Sequence, residues 1–268
     1  MTILIERISD AVGAVFEPFQ IKRVAKAEAE AAIIKAAGEI EVSDLQRRAV
    51  RRLVHQEARR QRNIEQVTSL ALPDVASDAS PERIESDWLD HFFDRSRRVS
   101  DPEMQTIWGR LLAGEANKPG AFSRRTIELV STLDKNDVRL FTSLCGFAWS
   151  IGNIAPLIYD TQADIYNKAG IRFDSLTHLD SIGLLRVEAL SGFSRQRLPK
   201  TLTVLYYGRP VHIEYPGDSD NKLDIGGVVL TAAGQELAPI AGSQPVDGFV
   251  DYVLGHWERK GYKAYLTA

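Results

Sequence analysis

Apolar positions recur at helical spacing through the first 160 residues of the chain, and the pattern then changes to a mixture of helical and strand-like runs. Ile3, Ile5, Ile8, Val12, Val15 and Phe16 predict a short amphipathic helix that ends before Pro18. Ile21 to Ile40 consists of strong helix formers, including Ala25 to Ala32, with a break at Gly38. Ser43 or Asp44 then caps a second long helix that runs to about Leu70. In this helix Leu45, Ala49, Leu53, Ile64 and Val67 are apolar, whereas His55 to Asn63 is almost wholly polar. A helix that is polar nearly all round is not held by burial against a core. Residues 1–72 are therefore expected to form an extended helical arm, with Pro73 to Pro81 as a hinge.

Residues 80–160 carry the clearest helical grammar and predict a helical bundle with short connections. Ser80 and Pro81 start a helix whose apolar face is Trp88, Leu89, Phe92 and Phe93. Ser100 and Glu103 flank Pro102 as a capping box, and Met104, Ile107, Trp108, Leu111 and Leu112 follow before Pro119-Gly120 stops the helix. Ser123 and Asp134 begin two more. The apolar stretch from Leu140 to Tyr159 reads as a buried helix ending near Ile151, because Gly146, Gly152, Asn153 and Pro156 interrupt it as a membrane span.

Residues 161–268 mix the two types. Ser175 to Leu185 predicts a helix, Thr201 to Tyr207 and Val211 to Tyr215 a hairpin around Gly208-Arg209-Pro210, and Leu223 to Leu230 a third strand. Thr231 caps a further helix, and Val246 to Trp257 forms the last. This order is that of a winged-helix module. Asp174 to Leu185 has no Arg or Lys, so the module reads as a packing or dimerisation element rather than a DNA reader. The expected fold is thus mainly α, with an N-terminal helical arm (1–72), a central helical bundle (80–160) and a C-terminal α+β winged-helix-like part (161–268).

Composition adds little to this picture. A hydrophobic share of 44% with 26% charged residues is ordinary for a folded domain, and the net charge of -3 gives no global sign of polyanion binding. The single cysteine, Cys145, sits among apolar neighbours and reads as a core residue, which together with the lack of a leader pattern at Met1 to Asp10 suggests a cytoplasmic protein. No phosphate loop, dinucleotide fingerprint, Gly-x-Ser-x-Gly or His-Glu-x-x-His string is present. His55, His91, His178, His212 and His256 are far apart, and Asp87, Asp90 and His91 share a helix face that reads as solvated. No catalytic residue, metal or cofactor is expected, which points away from an enzyme.

The candidate site is basic. Arg47, Arg48, Arg51, Arg52, Arg59, Arg60 and Arg62 lie on one predicted helix, opposed nearby only by Asp44 and Glu57. Such a stripe suits an acidic helix of the same or another subunit, phosphates of a nucleic acid, or an anionic membrane surface. Glu28, Glu30, Glu39 and Glu41 favour the first, and the missing aromatics argue against single-strand binding. The expected partner is a second copy, with a protein partner, nucleic acid and a membrane surface as alternatives.

Several strings carry a resemblance. Asp87 to Phe93, Ser100 to Trp108, Leu111 to Glu115, Pro119 to Thr126 and Arg60 to Glu65 resemble the bacterial family called domain of unknown function 2806. The Trp-x-x-Leu-Leu-Ala helix, the helix ending in Gly-Leu-Leu and the late Leu-Thr-x-x-Gly are similar, more loosely, to the abortive-infection alpha family. The second resemblance implies a role in bacterial antiviral defence; neither supplies catalytic residues.

Overall fold

The computed structural model describes residues 2–12, 44–188 and 190–266. The expected helix over Ile21 to Ile40, the Gly38 break, the Ser43 cap and Glu28, Glu30, Glu39 and Glu41 lie outside the described residues, as do Val15 and Phe16. Among those described, helix outweighs strand, so the chain is mainly α. It divides into two compact units, Met1–Ile127 and Glu128–Ala268, whereas composition placed its boundaries near 72–80 and 160.

The first unit is helical. Helix α1 (Thr2–Val12) buries Leu4 and Ile8, and its Arg7 guanidinium donates to the Ile84 carbonyl. Helix α2 (Asp44–Ala71) is followed by α3 (Ser86–Ser96) and α4 (Pro102–Asn117). The core is an aromatic cluster in which Trp88 stacks on Phe92 at 5.1 Å and Trp108 meets Phe92 edge-on at 5.2 Å.

The last turns of α2 enter this core rather than standing apart as an arm. Asn63, Ile64, Val67, Thr68 and Ala71 are buried, and α2 packs on α4. The approach is close at Gly109, where a Cβ would stand 2.8 Å from the Leu70 Cβ and 3.2 Å from the Ala71 nitrogen. A buried polar link fixes the register. The Asn63 amide donates to the Arg97 carbonyl (2.9 Å) and to Ser100 Oγ (3.1 Å), while Gln105 Nε2 reaches Asn63 Oδ1 (3.3 Å) and the Val99 carbonyl (2.9 Å).

Two expected helix starts move. Pro81–Arg83 is a single 3-10 turn, and α3 begins only at Ser86, because Ile84 leaves the helical conformation and buries its side chain. The cap of α4 is Asp101, which accepts from the Glu103 and Met104 N–H groups at 3.1 and 3.2 Å, since Ser100 Oγ is taken by Asn63. Helix α5 (Arg124–Thr132) starts after Ser123 as expected, and the division between the units falls inside it.

The second unit begins with helix α6 (Lys135–Cys145), capped by a box in which Asp134 and Asp137 each accept from the other's end of the turn. The helix expected to continue to Ile151 stops here. From Phe147 the buried positions alternate, Phe147, Trp149 and Ile151, which is the period of a strand. Ala148–Ile151 (β1) and Asn153–Pro156 (β2) pair around Gly152, whose φ of 76° suits the tight reversal.

Short α7 (Asp164–Asn167) and α8 (Phe173–Ser181) follow; α8 ends four residues before Leu185, which lies in a strand. The remaining strands are β3 (Leu185–Val187), β4 (Phe193–Leu198), β5 (Thr201–Tyr206), β6 (Arg209–Glu214), β7 (Asn221–Gly226), β8 (Val228–Leu230) and β9 (Lys263–Leu266). Helices α9 (Ala232–Leu237), capped by Thr231, and α10 (Phe249–Arg259) lie between the last two. The predicted hairpin is β5–β6, but it sits inside an antiparallel sheet of order β2-β1-β5-β6-β9; β3 pairs with β8 and β4 with β7.

The inner face of the large sheet carries Trp149 and Tyr206, stacked at 5.0 Å, and Trp149 meets Trp257 of α10 at 5.3 Å. Gln235 of α9 bonds both backbone groups of Ile154, accepting from its N–H (3.0 Å) and donating to its carbonyl (2.6 Å).

Glu115 is the most consequential buried charge in the first unit. It is 2% exposed, and its two oxygens accept from the Gly120 (2.7 Å) and Phe122 (3.0 Å) N–H groups, tying down the turn before α5. Replacing it with Ala strips a charged acceptor from both donors and is expected to lower unfolding free energy by about 3 kcal/mol. Glu115→Gln, which keeps one acceptor, should lose about half of that; urea melts followed by tryptophan fluorescence measure both.

Candidate interaction site on the arginine-rich helix

Helix α2 is buried for only its last third. Positions 44–53 are all exposed, and 54–62 are exposed or half-buried. The exposed part is nevertheless patterned like the buried part. Asn63, Val67, Thr68 and Ala71 face the core; Leu45, Ala49, Val50 and Leu53 stand eighteen residues before them. Eighteen residues are five turns of an α-helix, so the two sets share one face. On that face the side chains change from Asn63, Val67, Thr68 and Ala71 against α4 to Leu45, Val50 and Leu53 in solvent, at 68%, 41% and 57% exposure.

The arginines segregate away from this stripe. At 100° per residue, Arg51 and Arg62 fall directly opposite the stripe, with Arg47 and Arg48 to either side of them and Arg59 and Arg52 nearest its Leu45 edge, and all six are exposed. Arg47 pairs with Asp44 at 2.9 Å; Arg60 turns to the stripe side and pairs with Glu57. Exposed pairs of this kind contribute little to stability. The helix therefore presents an apolar stripe backed by a basic arc over about 28 Å, the length of its first nineteen residues. The arginines and Leu45, Ala49 and Leu53 are plain in the sequence; Val50 and the separation of the two sets become visible through the five-turn repeat.

The scattered histidines and acids do not converge on one place. Asp87 is paired with Arg124 at 3.1 Å on the surface of the first unit. In the second, His178 Nε2 meets Asp137 Oδ1 at 2.6 Å, and His212 Nδ1 lies 3.0 Å from Thr203 Oγ1. Among the described residues, no cluster of three or more His, Cys, Asp or Glu side chains is placed to hold a metal ion. Cys145 is buried, and that burial pushes its thiol up to about 12, far from the thiolate that a nucleophile needs.

His256 is the most perturbed imidazole. Its ring stacks on Tyr159 at 3.7 Å and 6°, and its Nε2 lies 3.6 Å from Asp224 Oδ2, longer than a good hydrogen bond. Burial pushes its pKa down, against the upward pull of Asp224. Burial likewise pushes the Tyr159 phenol far above its ordinary range; its oxygen accepts from the Trp257 indole at 2.9 Å.

The architecture defines a mainly helical protein of two compact units, with one long helix that the other described residues leave partly uncovered. The chain belongs to the family described as Protein of unknown function (DUF2806), whose model matches residues 47–254, over three quarters of its length. The match takes in the arginine helix from Arg47 onward and nearly all of the second unit. Comparison with curated proteins gave no match, and neither did comparison with solved structures. The likeness to the abortive-infection alpha family gained no support from these comparisons. Among the described residues no helix is long and apolar enough to cross a membrane.

The His256 environment sets a pH dependence. A histidine kept neutral by burial contributes its stability fully above its ordinary value of 6.5. That contribution is lost as pH falls from there through the depressed folded value, because the unfolded chain binds the proton first. The melting temperature should therefore drop as pH falls below the ordinary value of 6.5, and His256→Gln should flatten that part of the profile. An unaltered profile in the variant would show that His256 does not contribute.

Proposed function

We propose that this protein is an interaction protein that self-associates through the uncovered part of α2, packing Leu45, Ala49, Val50 and Leu53 against the same stripe of a second copy. The observation that carries this reading is the five-turn repeat: a face used for packing at residues 63–71 continues, more apolar, where nothing described covers it. Fully burying a leucine or valine is worth about 1.5–3 kcal/mol, so a few such side chains from each of two helices supply a meaningful driving force. The outward arginines then flank the pair, where they stay hydrated.

The winged-helix-like order of the second unit fits this reading as a packing element. Helix α8 carries Asp174 and Asp180 and no Arg or Lys, which suits a protein surface better than a DNA groove. The biological setting we favour is bacterial antiviral defence in the cytoplasm, supported by the motif likeness alone.

Light scattering on the full chain is expected to give a concentration-dependent mass above that of one chain. The Leu45→Glu/Leu53→Glu variant should run as a monomer whose melting temperature no longer rises with protein concentration, as that of the associating wild type should, since both positions are exposed in the single chain. Cells carrying the protein should restrict phage plating, and the same variant should lose that restriction. A wild-type mass equal to one chain at all concentrations would end the self-association reading, whatever the plating result.

A second reading has its own observation, the exposed basic arc. Arg47, Arg48, Arg51, Arg52, Arg59 and Arg62 suit the phosphates of a duplex. Affinity for labelled duplex DNA or RNA should then fall steeply with salt. Replacing Arg47, Arg48, Arg51 and Arg52 with Ala should reduce the log–log slope by up to about 0.9 for each phosphate that is no longer neutralised. Salt-independent binding would dismiss this reading.

A further inference from the structure

The uncovered part of α2 carries two features that oppose each other. Its stripe of Leu45, Ala49, Val50 and Leu53 favours a second copy, whereas residues 44–62 hold seven arginines against two carboxylates, Asp44 and Glu57. Arg47 and Arg60 are paired with those two acids. Arg48, Arg51, Arg52, Arg59 and Arg62 are left as five net charges, exposed and without an ion pair among the described residues.

Packed helices lie about 8–10 Å apart. Pairing two stripes therefore brings two sets of like charges within about 10 Å, one Debye length at 0.1 M salt. Arg48, Arg52 and Arg59 all lie on one flank of the stripe, beyond Leu45. A parallel partner would put its own flank on the other side of the pair, and it would run on along the face that α4 fills at residues 63–71. An antiparallel partner leads its residues 63–71 away, and a two-fold axis then sets both flanks on the same side. Six arginines, three from each copy, border one face of such a pair. Their repulsion is strong in dilute salt and screened in concentrated salt, so pairing is weakest at low ionic strength, the reverse of an interface built on ion pairs.

A duplex relieves the same repulsion. It carries one phosphate charge per about 1.7 Å of axis, so the roughly 28 Å spanned by residues 44–62 faces about sixteen phosphates, more than five arginines neutralise. A second helix beside the first finds charge still to neutralise on the same duplex. We infer, resting on the self-association reading, that a nucleic-acid duplex triggers pairing: two copies join antiparallel through Leu45, Ala49, Val50 and Leu53, and Arg48, Arg52 and Arg59 of both copies hold the duplex. Because linkage is reciprocal, the pair binds the duplex more tightly than a single copy does.

Sedimentation velocity on the full chain is expected to show pairing that tightens about fivefold as sodium chloride rises from about 50 to about 500 mM. At the lower salt, a DNA duplex added at one per two chains should tighten pairing at least tenfold, and inorganic phosphate at the same phosphate concentration should not. Arg48→Gln/Arg52→Gln/Arg59→Gln should pair more tightly than wild type at low salt and lose the response to duplex. Leu45→Gln/Leu53→Gln, unchanged in charge, should stay a single chain and bind the duplex at least tenfold more weakly. With duplex present, Leu45→Cys mixed with Leu53→Cys should form a disulfide under oxidation, whereas Leu45→Cys alone should not, because antiparallel pairing sets its two copies too far apart. Pairing that weakens as salt rises, a triple variant that pairs no better than wild type at low salt, full duplex affinity in Leu45→Gln/Leu53→Gln, or a disulfide in Leu45→Cys alone would each overturn the inference and leave self-association standing. A single-chain mass at every salt and duplex concentration would end both.

Discussion

The contact between the last turns of α2 and α4 is the constraint on which the rest of the first unit depends. Gly109 leaves no room for a side chain at the crossing, and Asn63 is bonded at once to the Arg97 carbonyl, Ser100 and Gln105. An amide in that position tolerates no slip along the helix axis, because a shift of one residue would carry it away from all three partners and leave buried polar groups unpaired. The seam therefore fixes which face of α2 is turned inward. Since a helix is rigid over a few turns, it also fixes which face is turned outward five turns earlier. The exposed leucines are where they are because of a hydrogen-bonded asparagine.

The motifs by which the family is recognised act mainly on folding. In the string Leu111 to Glu115, the leucines are buried and Glu115 holds the turn that precedes α5. In Pro119 to Thr126, the Phe122 carbonyl accepts the Trp88 indole at 2.8 Å and Ser123 caps α5. In Ser100 to Trp108, Asp101 caps α4. A short stretch of sequence thus joins two helices, a turn and a tryptophan through side-chain-to-backbone bonds. Such bonds depend on residue identity more than ordinary apolar contacts do.

Much of the helical part was legible because helices advertise themselves locally. Asp134, Ser123 and Thr231 mark their starts through groups that bond the adjacent turn, and Pro102 through a fixed φ and a missing N–H that the first turn does not need. The errors came where a distant partner decided the outcome. Ser100 looked like a cap but was claimed by Asn63, 37 residues away. The stretch after Cys145 looked helical by its apolar content, yet Phe147, Trp149 and Ile151 alternate, and Trp149 is held by Tyr206 and Trp257 from far along the chain. The arginines of α2 were plain in sequence; their opposition to Leu45 and Leu53 emerged once the buried face of the helix was known.

The side chain of Gln235 closes one margin of the large sheet. Strand β2 lies at one margin of the five-stranded sheet, and the Gln235 amide supplies the donor and acceptor that a neighbouring strand would offer to Ile154. A sheet so plugged cannot be lengthened from that margin without first ejecting a glutamine. Any runaway polymerisation by strand exchange would have to proceed from the opposite margin, Lys263–Leu266, where a lysine charge discourages stacking of like copies.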